Sequence, residues 1–370
     1  MLSSISSDNA IFVPIKQSSE NNVINAFLFM LLLYSKIQKG EINLIILGIE
    51  SSCDETAAAI VKDGREVLAN VVSSQIKIHE KFGGVVPEVA AREHLNSINL
   101  VIKEAYEQAN LTPDKIDAFS STVGPGLVGC LLVGMNAAKT LSLVHNKPYL
   151  GVNHLQAHVS ANFIGTDLKP PFLCLLVSGG HTQIIYVEDY DKQEIIASTI
   201  DDAVGEVYDK VARLCSIPYP GGVLLDKMAA NGNKNAFNFP EARVGEDEFS
   251  FSGLKTAVLR EVKKFKPEEL PKEDIAASFQ YRIADTLIKK TLNFASKLNC
   301  KTLALAGGVA ANSELRKRME ELNLKGYKTY APQMKYCTDN AAMVASCAYF
   351  NPIKSENSLM LEVFSRALSN

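Results

Sequence analysis

The chain has 370 residues, more than one hydrophobic core usually organises, so two domains are expected. Hydrophobic residues at 47% and charged residues at 21% describe an ordinary globular protein and exclude a disordered or fibrous one. With 38 Lys and Arg against 41 Asp and Glu, a net charge of −3, no global field attracts nucleic acid. Any RNA contact must come from a local basic face or a partner.

The seven cysteines are odd in number and scattered through apolar runs without a CxxC pair. They read as reduced, buried thiols of a cytoplasmic protein. Residues 1–43 differ from the rest: polar up to Asn25, then apolar from Ala26 to Tyr34. A helix of that length rises about 14 Å, against roughly 30 Å of hydrocarbon, so no integral membrane association is expected. The absence of arginine before Arg65 argues against a transit peptide. The segment reads as a non-functional extension, disordered or from a wrongly chosen start, with a membrane-surface anchor as the alternative.

From Leu44 the pattern is α/β. Apolar strands are expected at 44–49, 57–61 and 66–72, with Asp63-Gly64 as a hairpin turn. Pro87 opens a helix running to about Asn110. A strand at 117–123, a buried helix at 127–145 and a strand at 148–152 follow, leading into a helix from His154. The second half opens in the same way, with strands at 172–177, 182–187 and 195–199. Helices are expected at 204–214, 223–230, 254–264 and 274–297, then a strand at 302–306 turning at Gly307-Gly308 into a helix near Val309. An edge strand at 327–331 and a helix at 339–350 complete the pattern. The expected units are 44–165 and 166–350, the second with a helical insertion at about 203–298, followed by a tail at 351–370. Two similar units suggest a duplicated architecture with a ligand cleft between them.

The sharpest local feature is His154-Leu-Gln-Ala-His158. Histidines at i and i+4 share a helix face, about 6 Å apart at Cβ, which suits one metal. Such pairs also arise by chance as surface histidines. Asp339, at an expected helix start, adds a carboxylate, and two histidines with one aspartate leave positions open for chemistry. This is not HExxH, since Leu155 follows His154. Leu176-Val177-Ser178-Gly179-Gly180 and Gly307-Gly308 are glycine turns whose amides can approach an oxyanion. Asn312 is expected one turn into the following helix. Asp201 and Asp202 read as dipole partners at a helix start, whereas Asp209, inside that helix, can reach a ribose hydroxyl. Asp54 and Glu55 form a carboxylate pair that reads equally as solvated turn residues. Arg260, Lys263, Lys264 and Lys266 form a basic cluster that fits a solvated face as well as an RNA footprint.

The strings ILGIESSCDETAAAIV, FGGVVPEVAAREH, GPGLVGCLLVG, NHLQAH, LLVSGGHTQ, DDAVGEVYDK, YPGG, FSFSGLKT, GGVAANSELR and CTDNAAM together resemble the TsaD/Kae/OSGEP family. These are tRNA N6-adenosine threonylcarbamoyltransferases, and the bacterial or organellar branch fits best. The resemblance covers residues 45 to about 350 and implies a duplicated actin-like (ASKHA, ribonuclease H-like) α/β fold with its active site in the interdomain cleft. It implies His154, His158 and Asp339 as ligands of one divalent metal, Fe2+ first and Zn2+ second. It implies Leu176, Val177, Ser178, Gly179, Gly180, Asp209, Gly222, Asp226 and Asn312 as positions binding threonylcarbamoyl-AMP. The acceptor implied is the adenosine 3′ of the anticodon in tRNAs reading codons that begin with A, with TsaB-like and TsaE-like subunits as partners. Asp54 or Glu55 would accept the amine proton. Gln156, and Val223 after YPGG, depart from the family pattern, and neither is an implied ligand.

Overall fold

The computed structural model describes residues 43–366 apart from 243 and 356. The expectation for residues 1–43 therefore lies, but for Asn43, outside the described residues.

The first sheet is built from β1 (Ile45–Glu50), β2 (Glu55–Lys62), β3 (Glu66–Ser74), β4 (Ala118–Gly124) and β5 (Tyr149–Asn153), in the order β3-β2-β1-β4-β5. β1–β3 pair antiparallel, and β4 and β5 join in parallel. The second sheet holds β6 (Phe172–Val177), β7 (Thr182–Asp189), β8 (Lys192–Thr199), β9 (Glu248–Phe249), β10 (Thr302–Ala306) and β11 (Lys328–Tyr330). Its order is β11-β10-β6-β7-β8-β9. Leaving aside the two-residue β9, strand order and sense repeat those of the first sheet, so the duplication expected from the sequence is present.

Helices cover the first sheet on both faces, and its strands are apolar at successive positions for that reason. Along β1 and β2, side chains alternate between two cores. Leu47, Ile49, Ala58 and Ile60 pack under α1 (Pro87–Ala109) and α2 (Val128–His145). Ile46, Ala57, Ala59 and Val61 pack under α9 (Ala341–Phe350). That last helix follows the second unit in sequence yet completes the core of the first. Gly48 lets it lie close: a Cβ there would sit 2.6 Å from the Ala341 carbonyl oxygen.

Between the sheets runs α3 (His154–Ser160), with a 3-10 turn after it (Ala161–Phe163). Leu155, Val159 and Phe163 face the second sheet, packing with Cys174, Leu176 and Ala306. Ala157 and Ala161 face the first sheet and α9. At 3.6 residues per turn, His154 and His158 are left on the remaining face, turned into the cleft.

The insertion carries α4 (Val204–Leu214), α5 (Gly221–Ala229), α6 (Ser252–Val262) and the long α7 (Lys272–Lys297), and α8 (Ser313–Glu321) follows β10. Tyr208, Leu225, Phe251 and Phe279 of this group bury into one core with Leu175 and Leu305 of the second sheet. The insertion is therefore continuous with the floor of the cleft.

Candidate active site in the cleft between the sheets

β5 ends at Asn153, which caps α3 by accepting hydrogen bonds from the amides of Leu155 and Gln156. The cap places His154 at the mouth of the cleft. His158 follows one turn later, 1% exposed, and the two rings meet edge to face at 4.7 Å. Asp339 lies just before α9, whose N-cap Asn340 accepts from the Met343 amide and donates to the Thr338 carbonyl. Nε2 of His158 is 3.1 Å from Asp339 Oδ1 and Nε2 of His154 is 3.7 Å from it. One ligating atom from each of the three residues lies within 4.8 Å of the others. Two imidazole nitrogens and a carboxylate oxygen converging from separate elements fit one divalent ion.

The charges of the group act on one another. Burial pulls the His154 imidazole down, but the carboxylates of Asp339 and Glu50 outweigh it and hold the ring at about 9. Burial likewise raises Asp339, and the two histidines override it to about 2. The aspartate is thus an anion at any ordinary pH. His181, just beyond the Gly179-Gly180 turn, is pushed down to about 4 by burial and by the neighbouring His154 and His158, so it enters the cleft as a neutral imidazole.

Both glycine turns stand at the C-terminal ends of neighbouring parallel strands, β6 and β10, the end at which open α/β sheets take their ligands. Ser178 closes its turn through its amide to the His181 carbonyl and through its hydroxyl, which accepts from the His181 amide. The Gly205 amide at the start of α4 donates to the Ser178 carbonyl. Gly307 presses on the same turn. Its φ is +86°, a left-handed conformation, and a Cβ would meet the Val177 carbonyl oxygen at 2.4 Å; only glycine suits both demands.

The remaining expected positions join this floor through hydrogen bonds. The amides of Gly221 and Gly222 donate to Asp209 Oδ1 at 3.0 and 3.1 Å, leaving Oδ2 without a hydrogen bond among the described residues. Burial, partly offset by those two amides, raises the Asp209 carboxyl. Asn312 caps α8 by accepting from the Leu315 amide, and it donates to Asp226 and to the Tyr208 hydroxyl. It therefore lies at the helix start, not one turn in as expected: a 3-10 turn at Gly308–Ala311 delays the helix. Asp226 also accepts from the Ser313 hydroxyl at 2.7 Å.

Across the cleft, Glu55 opens β2 and accepts from the Ser74 hydroxyl, while its other carboxylate oxygen is buried without a hydrogen-bond partner among the described residues. Burial, the adjacent Asp54 and Asp339 raise it to about 8 against the Ser74 hydrogen bond. Burial first, and then the charges of Asp54 and Asp209 with a smaller share from Glu55, raise the Tyr219 phenol. Asp201 and Asp202 serve otherwise than expected. Asp201 accepts from Ser250 and the Phe251 and Ser252 amides at the start of α6, and Asp202 pairs with Lys210 and Lys255. In the basic cluster, Lys264 pairs with Glu261 and Lys266 approaches Glu269, the pattern of a solvated helix end. Sequence reading missed Glu50, Ser52, Thr122, His181 and Tyr208. For Glu50 the available signal was a carboxylate closing an otherwise apolar strand.

A duplicated sheet pair with glycine turns on the cleft floor defines an ASKHA-type, actin-like protein. Solved structures agree on the fold. Full-length HypF in its phosphate- and nucleotide-bound form matches with a TM-score of 0.58 at 14% identity, over 84% of this chain and 46% of that one. Component A of (R)-2-hydroxyglutaryl-CoA dehydratase from Acidaminococcus fermentans matches with a TM-score of 0.50 at 18% identity, over 83% of this chain and 98% of that one. Within that class, residues 66–346 match the family model TsaD, described as tRNA N6-adenosine threonylcarbamoyltransferase. Proteins of that name are 54% identical in Thermosipho africanus, over 83% of this chain and 94% of that protein, and 50% identical in Caldicellulosiruptor saccharolyticus, over 85% and 95%. The chain belongs to the TsaD family, the tRNA N6-adenosine threonylcarbamoyltransferases.

Proposed function

We propose that the protein moves the threonylcarbamoyl group of threonylcarbamoyl-AMP onto N6 of the adenosine 3′ of the anticodon, in tRNAs reading codons that begin with A. The observation that carries this reading is a His2Asp group at the helix between the sheets, two glycine turns at the ends of neighbouring parallel strands and a carboxylate with an open oxygen. His154, His158 and Asp339 would hold one divalent ion, iron first and zinc second. When bound, such an ion polarises the carbamoyl oxygen as a Lewis acid.

The chain's own groups account for the other demands. Amides of the 178–180 and 307–308 turns stabilise the phosphate as charge gathers on it. Asp209 Oδ2 accepts a ribose hydroxyl, and the Asp226–Asn312–Ser313 network fixes the far wall. N6 attacks the carbamoyl carbon, the bond from that carbon to the phosphate oxygen breaks, and AMP leaves with the electron pair. Glu55, with Asp54 as the alternative, accepts the proton released from N6. Leu155 stands where a zincin carries its general base, which disfavours a protease, and a kinase would transfer phosphate where here the nucleotide departs.

TsaB-like and TsaE-like subunits belong to this reading. Helix α2 is apolar enough to cross a membrane by composition, yet its Leu131, Met135 and Ala138 are buried in the first unit. The exposed Leu95 and Leu132 line one groove between α1 and α2 and suit a protein partner. Seven unpaired cysteines agree with a reducing, cytoplasmic setting.

The deciding experiment supplies preformed threonylcarbamoyl-AMP, the partner subunits and a tRNA bearing the acceptor adenosine. Threonylcarbamoyladenosine should appear in nucleoside digests with one AMP per modification. Phosphorylation of a small molecule, or metal-dependent peptide cleavage without modified tRNA, would overturn the reading.

The role of Glu55 has its own signature. Transfer should rise with pH towards a plateau above about 8, where the carboxylate is free to accept a proton. Glu55→Gln should lose that limb and about 10²–10⁴ of the rate. Its stability effect runs the other way. A folded pKa above the ordinary 4.5 means the native state keeps a proton that the unfolded chain releases. That contribution is fully present below the unfolded value and is lost as pH rises through about 8. Glu55→Gln should therefore melt higher than the wild type at pH 9; an unshifted melting temperature and an unchanged pH–rate limb would transfer the role to Asp54.

A further inference from the structure

Glu50 ends β1 inside the protein, 0% exposed. A bare buried carboxylate is costly, and this one is compensated on every side. The Ser52 amide donates to Oε1, and the Thr122 hydroxyl donates to Oε2 at 2.7 Å. Oε2 also lies 3.3 Å from Nδ1 of His154, with the Ser52 hydroxyl 3.2 Å from the same nitrogen. The opposite ring nitrogen, Nε2, is the one that faces Asp339.

We propose that Glu50 is the positioning residue of the metal centre: by accepting a hydrogen bond from His154 Nδ1–H, it leaves the Nε2 lone pair aimed at the ion. The inference rests on the reading of His154, His158 and Asp339 as a metal site, and it adds a residue that does not itself ligate. A ligating histidine commonly gives its second ring N–H to a carboxylate, which fixes ring and tautomer and makes the ligating nitrogen a better donor. Here the supporting carboxylate is itself fixed, by one amide from the β1–β2 turn and one hydroxyl from β4. His158 differs: its Nδ1 is buried without a hydrogen-bond partner among the described residues. The orienting hydrogen bond is made at His154 alone of the two histidines.

Glu50→Gln tests the idea without changing shape. The Ser52 amide must still find an acceptor, so the Gln oxygen takes the Oε1 place. Its NH2 group then occupies the Oε2 place, pointing at His154 Nδ1. Two N–H groups cannot face each other, so the Nδ1–H tautomer loses its carboxylate acceptor and keeps at most the Ser52 hydroxyl, and the tautomer with hydrogen on Nε2, which cannot ligate, gains ground.

Zinc is the probe, read by chelator competition on the full chain, with melting temperature as the control for folding. Wild type should bind one zinc, and Glu50→Gln should bind it about ten- to a hundredfold more weakly. Proton NMR of the zinc-loaded wild type should show a hydrogen-bonded His154 Nδ1–H signal, identified by its loss in His154→Ala, and Glu50→Gln should lack it. Thr122→Val keeps the carboxylate but frees Oε2, and should weaken zinc binding in the same direction by less. A folded Glu50→Gln with wild-type zinc affinity and an intact Nδ1–H signal overturns the proposal. If Glu50→Gln does not fold, Thr122→Val with wild-type affinity overturns it. A wild type that binds no zinc fails the metal reading itself, a result distinct from equal binding by both proteins.

Discussion

His158→Ala should abolish bound metal and lower threonylcarbamoyl transfer by about two to three orders of magnitude, the loss expected when several kcal/mol of charge stabilisation disappear. The imidazole is buried, and its Nε2 is the group nearest to Asp339 Oδ1, at 3.1 Å. Removing it leaves two ligands, too few to compete with water and buffer for a divalent ion. The fold should survive, because α3 is held by its other faces: Leu155 and Val159 on the second sheet and Ala157 on the first. His154→Ala and Asp339→Ala should behave alike. Elemental analysis beside melting curves separates the outcomes, and wild-type metal content in all three variants would sink the site.

Much of this was legible in the sequence, and the part that was not has a physical reason. Strands showed because sheets covered on both faces need unbroken apolar runs, as in β1 and β6. The histidine pair showed because i, i+4 spacing is local. Glu50 did not show, since its partner His154 is 104 residues away and only the register of β1 beside β4 and β5 brings them together. Helix α9 was readable as a helix. That it packs on the first sheet depends on Gly48 making room, which local pattern cannot reveal. Asp201 and Asp202 misled because acidic residues before a helix usually serve its dipole, whereas here Ser250, Lys210 and Lys255 arrive from elsewhere in the chain and claim them. Glu55, read equally as a solvated turn residue, is buried deeply enough to hold its proton to about 8.

Asp209→Ala should raise the KM for threonylcarbamoyl-AMP about ten- to a hundredfold while leaving metal content unchanged. The carboxylate has two separable tasks. Oδ1 accepts the Gly221 and Gly222 amides and so holds the start of α5 against α4; Oδ2 is the oxygen that takes the ribose hydroxyl in the proposed reading. Alanine removes both, leaving two amides unsatisfied and the ribose without its acceptor, a combined loss of about 1.5–3 kcal/mol. Asp209→Asn separates them. Its side-chain oxygen can still take the two amides, which places the NH2 group where Oδ2 was. A ribose hydroxyl can accept from that group, so the asparagine variant should fall between wild type and alanine in KM and match wild type in melting temperature. Metal content should not change because, among the described residues, Asp209 shares no hydrogen bond or ion pair with any of the three expected ligands. Donor titrations on the metal-loaded protein, with metal content measured alongside, provide the check. An alanine variant that keeps wild-type KM would remove Asp209 from the ligand site and leave it only the structural task of capping α5.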